Sequence, residues 1–285
     1  MDIKDYPTDY QNIGFQSTKI AEAIDLIKKM REEKVTVFLS FTSNMVASGL
    51  RGIFKEMCRK KLVDVIITAG GSIDHDLIKT YLPYRIGDFS MDDKKLHEKG
   101  TNRIGNILVE NKCYEELERR MQPIFQKFKG QRISPSELCE EIGKALDKTS
   151  FLYWAEKNKI PVFCPGITDS AIGLQTYFYK QKDKEFGIDV TKDMSKLAQI
   201  VLEADKTGGI VLGGGISKHH TIGVNILRGG LNYAVYVTTA SPWDGSLSGA
   251  RTNEAISWGK IAENSSSVTV DCDATIAFPL IYKFI

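Results

Sequence analysis

The chain has 285 residues, 42% hydrophobic and 26% charged, which is typical of a globular protein, and we expect a single domain over residues 1–285. Its 38 basic and 36 acidic residues leave a net charge of +2 and are mixed along the chain, so we expect no nucleic-acid partner. No apolar run approaches the roughly 20 residues that span a bilayer, and no apolar leader opens the chain, so we expect a cytoplasmic protein without membrane association.

Short apolar runs rich in β-branched residues alternate along the chain with longer amphipathic stretches, and the runs end in Gly, Ser or Thr. This rhythm predicts an α/β fold. We expect a doubly wound, mainly parallel, six-stranded Rossmann-like sheet with helices on both faces. The predicted strands are Val35–Phe41, Val63–Thr68, Ile160–Cys164, Gly209–Leu212, Tyr233–Thr238 and Ser267–Val270.

Three segments between these strands have helical signals. The stretch Thr18–Arg31 has apolar residues at helical spacing, which predicts a helix with one face on the sheet. Ser134, followed by a proline and then by Glu137, forms a capping box that predicts a helix to about Leu146. Residues 81–132 are charged with little strand signal, so we predict a helical insertion whose charge is a solvated face rather than a binding patch.

Ligands of doubly wound sheets bind at the carboxyl ends of the strands, so the residues that follow each strand are candidates for a binding site. Thr42-Ser43-Asn44 precedes a predicted helix and could hold a pyrophosphate, and the small residues of Thr68-Ala69-Gly70-Gly71 would let a ligand approach the backbone. Gly213-Gly214-Gly215-Ile216-Ser217-Lys218 begins like G-x-G-x-x-G but has lysine at the last position. Alone, it fits a tight strand-to-helix turn equally well.

Two aspartates, Asp169 and Asp244, lie in similar loops, the second after Thr238-Thr239-Ala240. Such an aspartate could accept hydrogen bonds from ribose hydroxyls or cap the next helix, and for either residue alone the cap is the better interpretation. Several such loops together favour a nucleotide.

The five cysteines of the chain are widely spaced without a C-x-x-C pair, so we expect reduced thiols and no metal site.

Side chains suited to catalysis are concentrated after residue 212. His219 and His220 follow the glycine turn directly, and Glu254, Trp258 and Lys260 are spaced by four and two residues.

A carboxylate and an indole on one helix face suit a cationic amine, because the carboxylate pairs with an ammonium group and the ring stabilises a cation. A core tryptophan, a solvated glutamate and a surface lysine are the alternatives. A lysine at this point can act as a nucleophile only as the free amine.

The order and spacing of several blocks resemble the deoxyhypusine synthase family, in particular its archaeal members. The densest blocks are Gly213–His220, Tyr233–Tyr236, Asp244–Ser246, Ser248–Arg251 and Glu254–Ile261. Further matching blocks are Thr42–Asn44, Thr68–Gly71, Cys164–Pro165, Thr168–Asp169 and Asp273–Ala274. The resemblance therefore extends over nearly the whole chain.

The resemblance implies an NAD-dependent transferase of hypusine biosynthesis. In that family the aminobutyl part of spermidine is moved to one lysine of translation initiation factor 5A. NAD oxidises the polyamine, 1,3-diaminopropane leaves, and an enzyme lysine carries the butyl fragment as an imine until the acceptor lysine displaces it. Family members are tetramers with sites shared between paired subunits, so a homotetramer is implied as well.

Matched position by position, the resemblance makes Lys260 the nucleophile and His219 the base that assists hydride removal. The implied NAD-binding residues are Ser43, Asn44, Thr68, Ala69, Gly70, Asp169, Thr239, Ala240, Asp273 and Ala274. The implied residues of the polyamine site are Asp74, His75, Gly214, Gly245, Ser246, Glu254 and Trp258.

The sequence departs from the family pattern at the polyamine site. Two positions that are aspartates in eukaryotic members are Leu174 and Leu247 here, and an asparagine is replaced by Gly223. A buried ammonium group without a counter-ion is costly. We therefore expect either that another carboxylate, such as Asp74, takes the place of the missing aspartates, or that the polyamine is not spermidine. The loop around Asp74 is also one residue longer, with His75 in place of a glutamate.

These departures leave two other functions open. The butyl group could pass to a free amine such as putrescine, as in homospermidine synthesis, or come from another donor such as agmatine. A catalytically silent NAD-binding scaffold is the third hypothesis, and the joint presence of Lys260, His219 and Glu254 argues against it.

Overall fold

The structure is a computed structural model that describes residues 6–285, with side chains from residue 9 onwards. The chain forms two compact units. The first comprises residues 6–42, Lys61–Ile67 and Met194–Ile285, and the second comprises Ser43–Lys60 and Thr68–Asp193. The single domain expected from the sequence stays a prediction.

The secondary structure alternates between strands and helices along most of the chain. The strands are β1 (Thr36–Phe41), β2 (Val65–Thr68), β3 (Arg85–Ile86), β4 (Thr101–Ile104), β5 (Ile107–Glu110), β6 (Arg132–Ile133), β7 (Val162–Phe163), β8 (Gly187–Ile188), β9 (Thr207–Leu212), β10 (Leu231–Thr238) and β11 (Ile261–Asp271). The helices are α1 (Tyr6–Gln11), α2 (Gln16–Glu32), α3 (Ser43–Ser48), α4 (Arg51–Arg59), α5 (Gly70–Tyr81), α6 (Asp93–Glu98), α7 (Asn111–Lys127), α8 (Pro135–Ala145), α9 (Phe151–Lys157), α10 (Ala171–Lys182), α11 (Val190–Glu203), α12 (Gly215–Val224), α13 (Thr252–Ser257) and α14 (Ala274–Lys283), with a 3-10 helix at Asn225–Arg228. Among residues 6–285, no helix combines the length and the apolar character that crossing a membrane requires.

The main sheet has six parallel strands in the order β11-β10-β9-β1-β2-β7. Counted along the chain within this sheet, the order is 6-5-4-1-2-3, which is the doubly wound order with its switch point between β1 and β9. Each of the six strands overlaps one that the sequence predicted. The predicted α/β, Rossmann-like fold class is therefore confirmed.

The strands at the centre of the sheet are largely apolar because both of their faces are covered. All six residues of β9 are buried, and β1 pairs with it in continuous register from Thr36 opposite Thr207 to Phe41 opposite Leu212. At the edge, β11 starts at Ile261, six residues earlier than predicted. Residues 263–267 of this strand are polar and at least partly exposed, and the register with β10 shifts before Tyr233. The sequence therefore shows a recognisable strand pattern only near Val268.

In the first unit, α2 covers the sheet as predicted, packing against β10 and β11. Its buried residues are Ile20, Ala21, Ala23, Ile24, Ile27 and Met30. The helix begins at Gln16 and ends at Glu32, two residues before and one residue after the predicted limits.

In the second unit, the predicted capping box is present. The N–H of Glu137 donates to the Ser134 hydroxyl at 3.2 Å, and the N–H of Ser134 donates to the Glu137 carboxylate at 2.6 Å. The segment predicted as a helical insertion, residues 81–132, contains α6 and α7. It also contains three short strands that the sequence analysis missed, β3, β5 and β4, which form an antiparallel sheet. These strands have two to four residues each, too few to show a clear alternation of polar and apolar positions.

Candidate functional site

The glycine turn after β9 lies against a loop that precedes α13. A Cβ on Gly214 would meet the Ser248 hydroxyl oxygen at 2.4 Å and the Ser248 Cα at 2.5 Å, so only glycine allows this approach. The N–H of Gly215 donates to the Ser248 hydroxyl at 3.0 Å. Gly214, which the sequence placed beside the substrate, therefore joins the turn to the loop that carries Gly245 and Ser246.

The end of α13 determines where Lys260 emerges. Gly259 has a φ of +65°, the N–H of Gly259 donates to the carbonyl of Ile256 at 2.9 Å, and the N–H of Lys260 donates to that of Ala255 at 3.0 Å. This pair of bonds is a Schellman motif, which ends the helix with a glycine in the left-handed region. Lys260 thus lies directly between the helix and the first residue of β11.

Lys260 lines a small cavity of the first unit together with Glu254 and Trp258, two residues of the predicted polyamine site. The Nζ atom of Lys260 lies 5.1 Å from the centre of the Trp258 ring, within the range of a cation–π contact. Trp258 is 67% exposed. The cavity measures about 30 Å³, room for roughly one or two water molecules. Its lining residues are Lys218, Ile222, Tyr236, Leu247, Ala250, Arg251, Glu254, Ala255, Trp258 and Lys260.

Three polar residues of this cavity were not among the predicted site residues: Lys218, Tyr236 and Arg251. Burial, with a smaller contribution from Arg251, lowers the pKa of Lys218 to about 8. Burial also raises the pKa of Tyr236, whose hydroxyl has no hydrogen-bond partner in the described part of the chain. Arg251 forms an ion pair with Asp271. Lys218 could have been singled out because it is the lysine at the last position of the glycine pattern, whereas Tyr236 is indistinguishable by sequence from a core residue of its strand.

His219 does not line the cavity of Lys260. It is exposed on α12 and borders a wider groove of about 470 Å³ in the first unit. The residues of this groove are Met194, Ser195, Leu197, Ala198, His219, His220, Gly223, Val224 and Leu227. Within the chain, the predicted nucleophile and the predicted base therefore belong to different cavities.

Two predicted polyamine residues, Gly245 and Ser246, lie exposed in the loop between β10 and α13. The N–H of Ser246 donates to the Asp244 carboxylate at 2.7 Å. Leu247, one of the family departures, has the opposite environment, because it packs against the apolar cluster that includes Tyr236 and Ile261. Its side chain completes the core and so offers no partner to an ammonium group.

In the second unit, the loops after β1, β2 and β7 meet. A Cβ on Gly70 would lie 2.5 Å from the Cβ of Ser170, and one on Gly71 would lie 2.9 Å from that of Ser43. Helix α5 begins at this point after Ala69, which supplies no side-chain cap. The glycines let these loops pack closely, and the helix start without a side-chain cap offers backbone N–H groups of the kind that bind a phosphate group, which is compatible with the phosphates of NAD.

The aspartates of the predicted NAD site differ in what they bind. Asp169 is exposed, and the hydroxyl of Ser170, not Asp169, caps α10 by accepting from the N–H of Gly173 at 3.0 Å. Asp273 does cap a helix, because it accepts from the N–H of Thr275 at 2.6 Å at the start of α14. The carboxylate of Asp169 is therefore not used as the cap of α10.

The remaining predicted NAD residues follow strands of the main sheet. Asn44 lies in the first turn of α3 after β1, and Thr68 ends β2, where its hydroxyl contacts that of Ser72 at 2.6 Å. Thr239 is exposed directly after β10, and the N–H of Ala240 donates to the Thr238 hydroxyl at 3.1 Å. Ala274 is the first residue of α14 and is buried.

Asp74 and His75, predicted to bind polyamine, are buried in α5. The Asp74 carboxylate accepts from the N–H groups of Ala171 at 2.8 Å and Ile172 at 3.0 Å, and burial raises its pKa to about 6. His75 contacts the Tyr84 hydroxyl through Nδ1 at 2.8 Å, and burial lowers its pKa to about 4. Both oxygens of Asp74 are thus engaged by the start of α10.

Comparison with known proteins points to one family. The family model described as deoxyhypusine synthase matches residues 7–285. A protein of Thermococcus gammatolerans described as "Probable deoxyhypusine synthase" is 44% identical over 292 residues, covering 95% of this chain and 87% of its own. One of Methanocaldococcus jannaschii with the same description is 45% identical over 293 residues, covering 95% and 89%.

Solved structures agree with this result. The crystal structure of a "putative deoxyhypusine synthase" from Entamoeba histolytica has a TM-score of 0.69 and 27% identity, covering all of this chain and 92% of its own. A complex of AgrE with ornithine and NAD⁺ has a TM-score of 0.58 and 15% identity, covering 94% of this chain and 32% of its own. The second likeness concerns the fold alone.

Substitution of His75 by Gln should reduce the dependence of stability on pH. The pKa of His75 is lowered from 6.5 to about 4, so the unfolded chain binds this proton more tightly than the folded protein does. The free energy of unfolding should therefore fall as the pH decreases from about 6.5 to about 4, by up to about 3 kcal/mol from this group. Urea unfolding of wild type and His75→Gln at several pH values measures the difference.

The matched control is His97→Gln, which removes an exposed histidine of α6. Burial of Asp74 acts in the opposite direction, since its raised pKa favours the folded state as pH falls, but it is common to all three proteins. Equal slopes for wild type and His75→Gln would contradict a buried, neutral His75.

Proposed function

Because the chain belongs to the deoxyhypusine synthase family, we propose that it transfers the aminobutyl group of spermidine to one lysine of translation initiation factor 5A, forming deoxyhypusine. Family membership confirms the resemblance found in the sequence and the prediction that the chain is a transferase. The observation that carries the proposal is the cavity in which Lys260, Glu254 and Trp258 lie together.

In the proposed reaction, the free amine of Lys260 adds to the imine carbon of the oxidised spermidine. An imine forms between Nζ and this terminal carbon of the aminobutyl fragment, while the bond from the carbon to the diaminopropane nitrogen breaks and 1,3-diaminopropane leaves with the proton. The acceptor lysine then displaces Lys260 by imine exchange, which frees Nζ for the next turnover. Glu254 pairs with the remaining ammonium group of the fragment, and the exposed Trp258 ring lies against it.

NAD is the proposed cofactor. Its chemistry is to accept a hydride from the polyamine carbon and to return it to the product imine. In the second unit, the uncapped start of α5 and the glycines at 70 and 71 support phosphate binding. Asp169 is the carboxylate best placed to accept from ribose hydroxyls, because Ser170 caps the neighbouring helix in its stead. The proposed set is the one that the sequence predicted: Ser43, Asn44, Thr68, Ala69, Gly70, Asp169, Thr239, Ala240, Asp273 and Ala274.

A homotetramer with shared sites is the proposed assembly, acting in the cytoplasm. Three observations support it. The cavity of Lys260 is too small for a polyamine, the Trp258 ring beside it is largely exposed, and His219 borders a separate groove. A partner subunit that brings its His219 groove over the Lys260 cavity would enclose the donor and supply the base.

A second candidate function is transfer to a free amine such as putrescine, or use of another donor such as agmatine. The environment of Leu247 favours it, because an apolar core residue replaces a carboxylate there. Leu174, the other replaced carboxylate, is 52% exposed on α10. Among the described residues, Glu254 is the one carboxylate that lines the Lys260 cavity, so residues 9–285 of one chain offer a single ammonium partner at this point.

A transfer assay separates the two functions. The protein is incubated with NAD and with spermidine labelled in its aminobutyl part, together with either purified factor 5A or putrescine. We expect label on one lysine of the factor, dependent on NAD, and no label on a factor variant that lacks this lysine. Label on putrescine alone would establish the second candidate and contradict the first.

Mixed oligomers test whether sites are shared. When Lys260→Ala and His219→Ala chains are co-expressed, one of the paired sites combines an intact Lys260 with an intact His219, so activity should rise well above that of either variant. The control pairs Lys260→Ala with Glu254→Ala, whose residues line the same cavity of one chain and should not complement. Absence of recovery in the first mixture, with both variants folded, would contradict shared sites.

A further inference from the structure

The loop between β10 and α13, residues 239–251, has neither helix nor strand, and most of its residues up to Ser246 are exposed. It forms part of the Lys260 cavity, through Leu247, Ala250 and Arg251, and it leads directly into the helix that carries Glu254. Its own hydrogen bonds are short-range turns, such as the N–H of Gly249 to the carbonyl of Ser246 at 3.1 Å. A segment of this kind needs anchors from elsewhere to keep one conformation.

Lys218 provides such an anchor. Its side chain is fully buried, at 1% exposure, on the inner face of α12. Its Nζ donates to the carbonyl of Leu247 at 2.8 Å and to that of Ala250 at 2.6 Å. The same atom lies 4.5 Å from the centre of the Tyr236 ring. One ammonium group therefore ties two points of the loop to the helix that follows the glycine turn.

The identity of these partners distinguishes Lys218 from an ordinary buried ion pair. Burying an ammonium group is costly unless hydrogen bonds compensate, and lysine is among the residues least often buried completely. In the described part of the chain, its hydrogen-bond acceptors are two backbone carbonyls. The charges of Arg251 and Glu254 act on its pKa in opposite directions. A buried cation directed at the backbone of an irregular loop fixes the path of that loop.

We propose that Lys218 is a positioning residue whose ammonium group holds the Leu247–Ala250 segment in place. The segment then gives the Lys260 cavity its shape, and α13 presents Glu254 to the donor. This inference rests on the proposed function for its effect on turnover. The two hydrogen bonds from Lys218 to the carbonyls of Leu247 and Ala250, called the clamp below, are a property of the fold and do not depend on the substrate. Lys218 acts through the loop, and the bonds to the donor are made by Glu254 and Lys260.

Hydrogen exchange measures the clamp without any substrate. In Lys218→Met, which keeps the length of the side chain and removes its donors, the amides of residues 246–251 should exchange at least tenfold faster than in wild type. Lys218→Arg, which can still donate to both carbonyls, should restore part of the protection. Unchanged exchange over residues 246–251 in Lys218→Met would overturn the proposal.

The chain offers a matched control in Lys79. This lysine also donates to two backbone carbonyls, those of Val46 at 3.2 Å and Ala47 at 2.7 Å, and burial likewise lowers its pKa to about 8. Lys79→Met should loosen the end of α3 and leave the exchange of residues 246–251 unchanged. Faster exchange of that loop in both variants would show a general loss of stability and overturn a specific clamp.

Kinetics separate positioning from a merely structural role. Lys218→Met should raise the KM for the polyamine at least tenfold, and Lys218→Arg should raise it less, while the NAD affinity and the melting temperature of both variants stay at the wild-type values. An unchanged KM in Lys218→Met would overturn the proposal that Lys218 shapes the binding site of the donor. If Lys218→Met does not fold, Lys218→Gln, which is too short to reach both carbonyls, gives the same two comparisons. If wild type has no transferase activity, the proposed function fails while the exchange result still decides on the clamp.

Discussion

The approach of the Ser248 segment to the glycine turn is the contact on which the candidate active site depends. It requires the absence of a side chain at Gly214, and it brings the loop after β10 within reach of α12. Lys218, on α12, then donates hydrogen bonds to two backbone carbonyls of this loop, and the loop leads into α13. The Schellman motif at Gly259 ends that helix and leaves Lys260 at the wall of the cavity. The proposed nucleophile is thus positioned by backbone geometry more than by side-chain contacts.

The two cations that line the cavity beside Lys260 already have partners, which restricts what can bind there. Arg251 is paired with Asp271, and the ammonium group of Lys218 is engaged by two carbonyls and the Tyr236 ring. Glu254 is left as the carboxylate that faces the cavity. A donor with one ammonium group at this end and an apolar chain beside it matches this arrangement, because each further cation would lack a partner.

Periodicity predicted the sheet well because the central strands are buried on both faces and consist mostly of apolar residues. The polar first half of β11 and the two- to four-residue strands β3 to β5 carry no such pattern, so the sequence could not reveal them. The grouping of Lys260 with Glu254 and Trp258 was predictable from spacing and resemblance. The partners of Asp74 and the burial of Lys218 were not, because each depends on residues distant in sequence. The cap of α10 is local, but Asp169 and Ser170 are adjacent residues that can both cap a helix, and the sequence did not distinguish between them.

The central claim is that Nζ of Lys260 carries the aminobutyl group as an imine. Borohydride reduction of the enzyme after incubation with NAD and spermidine, followed by mass spectrometry of the peptide that contains Lys260, tests it most directly. The account predicts an adduct with the mass of one reduced aminobutyl group on Lys260, and its loss in Lys260→Ala while NAD binding stays intact. An adduct on another lysine, or the same adduct in Lys260→Ala, would contradict it.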